Sequence, residues 1–184
     1  MKAVVQDAAD TYDLISTRRV ERERAELKIN LLMGIVQIAQ QADSTNDCLL
    51  PIAKAVGESL AANRCILQLV ENKQLLPTQG DYIATEKTDN FLGSDPLVTE
   101  AITSQKIQIW SKSLPGDNES IDLELYQSAG VEVHVVAPII YRTHTVAILS
   151  IQWQNNQKLT EEILELITLS SQQITLALVS TGFC

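Results

Sequence analysis

The sequence predicts an α+β domain: a central antiparallel sheet of five to six strands covered by helices, with a long N-terminal helix. Three observations carry this expectation. Two strongly alternating apolar runs, Val131–Tyr141 and His144–Trp153, are separated by only two or three residues, so they must pair as an antiparallel hairpin. Segments with helical periodicity lie on both sides of the strand candidates and supply layers to cover a sheet. Hydrophobic residues make up 45% of the 184, enough for one real core and about the size of one ordinary domain.

Residues Met1 to Asp13 carry no sustained pattern and are expected to fray. From about Ser16 to Gln41 helix formers run unbroken by proline, and Val20, Leu27, Leu31, Gly34/Ile35 and Ile38 recur at steps of three, four and seven. A helix of roughly 25 residues is about 40 Å long, too long to lie wholly on a domain of this size. Its charged first half, with Arg19–Glu23 and Arg22–Glu26 at i, i+4, reads as a projecting, salt-bridged face and a natural dimer element. The division expected is therefore 1–30 for the N-terminal segment and projecting helix, and 31–184 for the domain proper.

The turn Asp43-Ser44-Thr45-Asn46-Asp47 offers caps for a second helix, about Asp47 to Ala62, with Pro51 in its first turn. Cys65–Val70 reads as a strand, with another candidate at Leu75 to Ala84. Ser94 or Asp95 caps a helix whose first residue is Pro96 and which runs through Val98, Ala101 and Ile102. Lys106–Trp110 alternates as a short strand. Pro115–Asp122 is an acidic loop, and a short helix over about Ser120 to Ser128 leads to Gly130 and the hairpin. Thr160 caps a final helix that reaches about Ser180.

The net charge of −9 argues against a nucleic-acid surface, which needs clustered positive charge. No run approaches the ~20 apolar residues of a spanning helix, and no signal peptide opens the chain, so no membrane role is expected and the cytoplasm is the default. Cys48, Cys65 and Cys184 share no short spacing and form neither a zinc pattern nor a disulfide framework; Cys48 and Cys65 read as core residues and Cys184 as exposed. Two histidines exclude a His-rich metal site. No Gly-rich phosphate loop and no Gly-x-Ser-x-Gly elbow occurs, so neither a catalytic nor a metal residue is named.

His134 stands out. On its strand Val131, Val133, Val135 and Ala137 point one way, and Glu132, His134 and Val136 the other. A sheet covered on one face only would leave His134 facing solvent or a polar cavity. A satisfied or partly exposed structural histidine is the simpler alternative, and a pocket residue the sharper one. On the partner strand Ser150 and Gln152 alternate with Leu149, Ile151 and Trp153, so pairing brings two polar faces together. Trp110 and Tyr126 flank the variable region and can serve as ligand walls or as ordinary core. His144 reads as a solvated turn residue. The candidate ligand-binding set is thus His134, Val136, Ser150, Gln152, Tyr126 and Trp110.

Tyr126–Ile139 (YQSAGVEVHVVAPI) resembles the Gly-Val strand signature of GAF domains, and Thr145–Ile151 (TVAILSI) resembles their next strand. Asp95–Ile102 (DPLVTEAI) and Thr160–Leu166 (TEEILEL) are similar to two of their helices. The likeness covers about Leu31 to Ser180, and its details look most like cyanobacterial members. It implies a sensory module of a signal-transduction or two-component protein, a homodimer through the N- and C-terminal helices, and a small molecule held on one face of the sheet. In bilin-binding relatives the positions matching His134, Val136 and Gln152 face the chromophore. Residues 118–130 contain no cysteine, so the resemblance implies no covalent bilin of that kind and leaves the cofactor unknown. Ala147 replaces the usual glycine, and Asp89-Asn90-Phe91 is a poor echo of the cyclic-nucleotide motif. The expected function is a GAF-type sensory or regulatory domain, itself not an enzyme. The alternative is a degenerate GAF-fold interaction or dimerisation module with no ligand.

Overall fold

A computed structural model describes residues 2–77, 79–84, 95–113 and 123–183. Ser94, Asp89–Phe91, the acidic segment Pro115–Asp122 and Cys184 lie outside the described residues.

The first helix, α1 (Lys2–Gln41), spans 40 residues and so starts well before the expected Ser16. Its opening segment has no glycine or proline and includes Ala3, Ala8 and Ala9, so backbone propensity sustains a helix without an apolar stripe. From Thr17 to Leu27 the helix is exposed, and from Ser16 onward the first buried residue is Leu31. Arg19–Glu23 and Arg22–Glu26 form the expected i, i+4 ion pairs at 3.6 and 2.8 Å. Helix α2 (Thr45–Ser59) begins two residues earlier than expected, which moves Pro51 into its second turn. The backbone bond that proline cannot donate would have gone to Asp47, which is solvent-exposed and can be satisfied by water.

Strand β1 (Arg64–Glu71) follows. The next strand candidate divides into β2 (Gln74–Leu75) and β3 (Gly80–Ile83), both paired antiparallel to β1. Gly80 is where β3 crosses the chain closely: a Cβ there would sit 2.6 Å from the Leu67 carbonyl and 2.9 Å from the Leu49 backbone. Then come α3 (Pro96–Ser104), β4 (Gln108–Ser111), α4 (Leu123–Ser128), β5 (Val133–Tyr141), β6 (His144–Trp153) and α5 (Glu161–Ser180). The sheet order is β2-β1-β6-β5-β4, with β3 also on β1, and every pairing is antiparallel. The turn between β5 and β6 is the two residues Arg142 and Thr143, with Arg142 left-handed at φ 55°. His144 beside it is exposed.

Helices cover both faces of the sheet. On one face Val133, Val135, Ala137, Leu149, Ile151, Trp153, Cys65 and Leu67 pack against α1, α2 and α5. On the other, Ile66, Val136 and Ile148 pack with Trp110, Tyr126 and the α3 residues Leu97, Val98, Ala101 and Ile102. Helix α5 is long and apolar enough to cross a membrane by length and composition alone, with a mean hydropathy of 1.3 over 18 residues, contrary to the expectation that no such run exists. Here Ile167, Ile174, Ala177 and Leu178 of that helix lie in the core. Its partner is α1: Arg24 pairs with Glu162 at 3.9 Å and Lys28 with Glu165 at 2.8 Å. Both helices advance from the first pair to the second, so they run parallel. Just beyond the C-terminal ends of both, Thr45 Oγ1 at the start of α2 meets Thr181 Oγ1 at 3.0 Å.

Candidate functional site

Strand register arranges the site. Trp110 on β4 pairs with His134 on β5, His134 with Gln152 on β6, and Gln152 with Arg64 on β1. These four form one rank across the sheet. The rank beside it is Gln108, Val136, Ser150, Ile66 and Asp81. Alternation of side chains places both ranks on the face covered by α3 and α4. All six candidate residues therefore share this face, with Tyr126 arriving from α4, and all six are buried. Because helices cover both faces, His134 is wholly enclosed and does not face solvent.

Within this set a hydrogen-bonded chain is closed. Asp95 caps α3 by accepting the Leu97 N–H at 2.9 Å. Its other oxygen accepts the Tyr126 hydroxyl at 2.7 Å. The Tyr126 proton being so committed, its oxygen accepts from Nδ1 of His134 at 2.8 Å, and in the neutral imidazole Nε2 accepts the Ser150 hydroxyl at 2.6 Å. Asp95 also lies 3.3 Å from His134 Nδ1. Burial would raise the Asp95 pKa, but the hydrogen bonds from His134, the phenol and the Leu97 N–H together outweigh it and hold the carboxyl below its ordinary value. Burial, followed by the Asp95 charge and hydrogen bond, pushes the Tyr126 phenol upward. Trp110 leans on Tyr126 with ring centroids 4.5 Å apart.

Two members of the rank are different. Among the described residues neither Oε1 nor Nε2 of Gln152 has a hydrogen-bond partner, although the side chain is 1% exposed. The Trp110 indole N–H is likewise buried without a partner. At the far end of the rank the buried Arg64 is held by Asp81 through Nε at 2.9 Å and Nη2 at 2.6 Å.

Three contributors were not on the sequence-derived site set. Asp95 reads from sequence only as a helix cap, and nothing in the sequence beyond a charged residue opening a strand marks Arg64 or Asp81. Cys65 and His134 point to opposite faces of the sheet, so they cannot form a thiol–imidazole pair. Burial raises the pKa of both Cys48 and Cys65. Among the described residues no three His, Cys, Asp or Glu side chains gather as a metal site.

Residues 44–178 match a family model for the GAF domain. The chain belongs to the GAF domain family. Among solved structures, a phycocyanobilin-bound GAF domain from a cyanobacterial phytochrome superposes with a TM-score of 0.69 at 18% identity, covering 85% of this chain and 96% of that one. The GAF domain of an Acinetobacter phosphoenolpyruvate-protein phosphotransferase gives 0.60 at 15% identity, covering 83% and 92%. A free methionine-R-sulfoxide reductase from Neisseria meningitidis, in complex with its substrate, gives 0.63 at 13% identity, covering 85% and 91%. At these identities the likeness is one of GAF fold. Among curated proteins none matches this sequence.

Proposed function

We propose that this GAF domain is the sensory or regulatory module of a signal-transduction protein, holding a small molecule against the rank of Trp110, His134, Gln152 and Arg64. The observation that carries the reading is the buried Gln152 carboxamide, with both polar atoms unpartnered among the described residues. Leaving such groups unpaired costs about 1–3 kcal/mol, and a ligand that pairs them recovers it. Two of the three solved neighbours, parts of a phytochrome and of a phosphotransferase, support the reading. In this reading the chain is not itself an enzyme. The ring nitrogens of its one buried histidine are engaged, and burial keeps the Cys48 and Cys65 thiols protonated.

The relay runs through α1 and α5, which pack on the other face of the same strands. Ile29, Met33 and Val36 stand exposed at i, i+4 and i+7 on α1, a stripe suited to a second copy of the chain. Sedimentation of the full chain is expected to give a dimer that Met33→Glu dissociates; a monomer at high micromolar concentration would overturn the dimer.

A second reading has its own support. Asp95, Tyr126, His134 and Ser150 fill their part of the face with mutual hydrogen bonds, as an interaction module without ligand would. Native mass spectrometry and an absorption spectrum of protein purified from its own host separate the two. A mass-shifted species absent from Gln152→Leu supports ligand binding, and an unshifted mass supports the interaction module.

A further inference from the structure

We infer that the ligand of this face is a neutral molecule presenting adjacent N–H and C=O groups, as a cyclic amide or ureide does. The inference rests on reading the face as a ligand site, and it is drawn from what the unpartnered atoms require. A primary carboxamide with both ends unpartnered among the described residues needs one acceptor for its N–H and one donor for its oxygen, side by side. The edge of a cis amide supplies both at that spacing through two antiparallel hydrogen bonds. A lone carbonyl or hydroxyl meets only part of the demand. The Trp110 indole can only donate, so it asks for one more acceptor on the same molecule. Trp110 and Gln152 lie two strand spacings apart in the rank, about 10 Å between Cα atoms.

Charge sets the second half of the inference. An anionic ligand needs a cation not already neutralised. Arg64 beside Gln152 grips the Asp81 carboxylate with two nitrogens. His134 on the other side donates to Tyr126 and meets Ser150. The Asp95 carboxylate is engaged by the Leu97 N–H, the phenol and the His134 ring, so the charge it adds to this face disfavours an anion further. Among the described residues, a carboxylate or phosphate brought into this rank would meet no unneutralised cation, at a cost well above that of a neutral amide.

A matched set of probes tests this: uracil, which carries the neutral amide edge; 1,3-dimethyluracil, which lacks the N–H donors; and orotate, the same ring bearing a carboxylate. The readout is the Gln152 side-chain amide resonance in a nitrogen-15 NMR spectrum of the full chain, assigned by its loss in Gln152→Asn and in Gln152→Leu. Uracil is expected to shift that resonance at millimolar concentration, with the other two binding at least tenfold more weakly. Orotate binding as tightly as uracil, or dimethyluracil matching it, overturns the neutral amide edge while leaving the face as a ligand site. No shift with any probe also overturns it, and the mass spectrum of host-purified protein then decides separately whether the face holds a ligand at all.

Discussion

Asp95 closes the buried chain at one end and starts α3 at the same time, so removing it is expected to act on both. In Asp95→Ala the Leu97 N–H loses its cap, worth about 0.5–2 kcal/mol. The Tyr126 hydroxyl is left buried without an acceptor, at about 1–3 kcal/mol. Together these give a loss of about 1.5–5 kcal/mol. For a chain of this size one kcal/mol moves the midpoint by about 2–4 °C, so the fall is on the order of 3–20 °C. Tyr126→Phe removes the same hydroxyl bond from the other side. The double variant should therefore lose less than the sum of the singles by about 0.5–3 kcal/mol. Urea melts followed by circular dichroism measure all four corners of the cycle. A loss below about 0.5 kcal/mol for Asp95→Ala, or strict additivity with Tyr126→Phe, would refute the coupling of cap and phenol.

The same carboxyl sets an acid limb. Its folded pKa lies below the unfolded value of about 3.9, so its stabilisation is present in full above that value and is lost as pH falls through the folded one. The stability difference between the wild type and Asp95→Asn should be flat near neutrality and shrink below about pH 4; a constant difference down to pH 2 would contradict the lowered pKa. Gly80→Ala forces a methyl to within 2.6 Å of the Leu67 carbonyl and 2.9 Å of the Leu49 backbone, and is expected to cost on the order of 1–3 kcal/mol in a thermal melt. Gln152→Leu removes two unpaired polar atoms and should stabilise the ligand-free protein by about 1–3 kcal/mol; a lower midpoint would show that the carboxamide is already engaged.

The hairpin was legible in the sequence almost to the residue, because its alternation and its two-residue turn are local facts. The Thr160 cap was legible for the same reason, and the α3 cap was narrowed to Ser94 or Asp95, of which Asp95 serves. The start of α1 was not, since Lys2–Ile15 is helical through propensity and carries no apolar rhythm to mark it. Leu75 to Ala84 reads as one strand from composition, whereas Gly80 opens a separate strand against the other end of β1. At the site, alternation placed His134, Ser150 and Gln152 on one face correctly. It could not supply Arg64, Asp81 or Asp95, because a rank across a sheet is set by register among distant segments and α3 is delivered by its own packing. Nor could it separate the satisfied His134 from the unpartnered Gln152, since that distinction rests on distances between side chains far apart in the chain.

The parallel course of α1 and α5 has a consequence for how the domain can be joined to others. Many domains bring their two chain ends close together, so a domain can be spliced into a loop or circularly permuted. Here the contact of Thr45 with Thr181 sets the end of α5 beside the end of α1, while Lys2 lies some 58 Å back along that helix at 1.5 Å per residue. A cargo fused ahead of Lys2 and another fused after Phe183 would hang from opposite poles, threaded in line. Short linkers will not close that gap, and any pull along the pair reaches both cargoes as a shift along one axis.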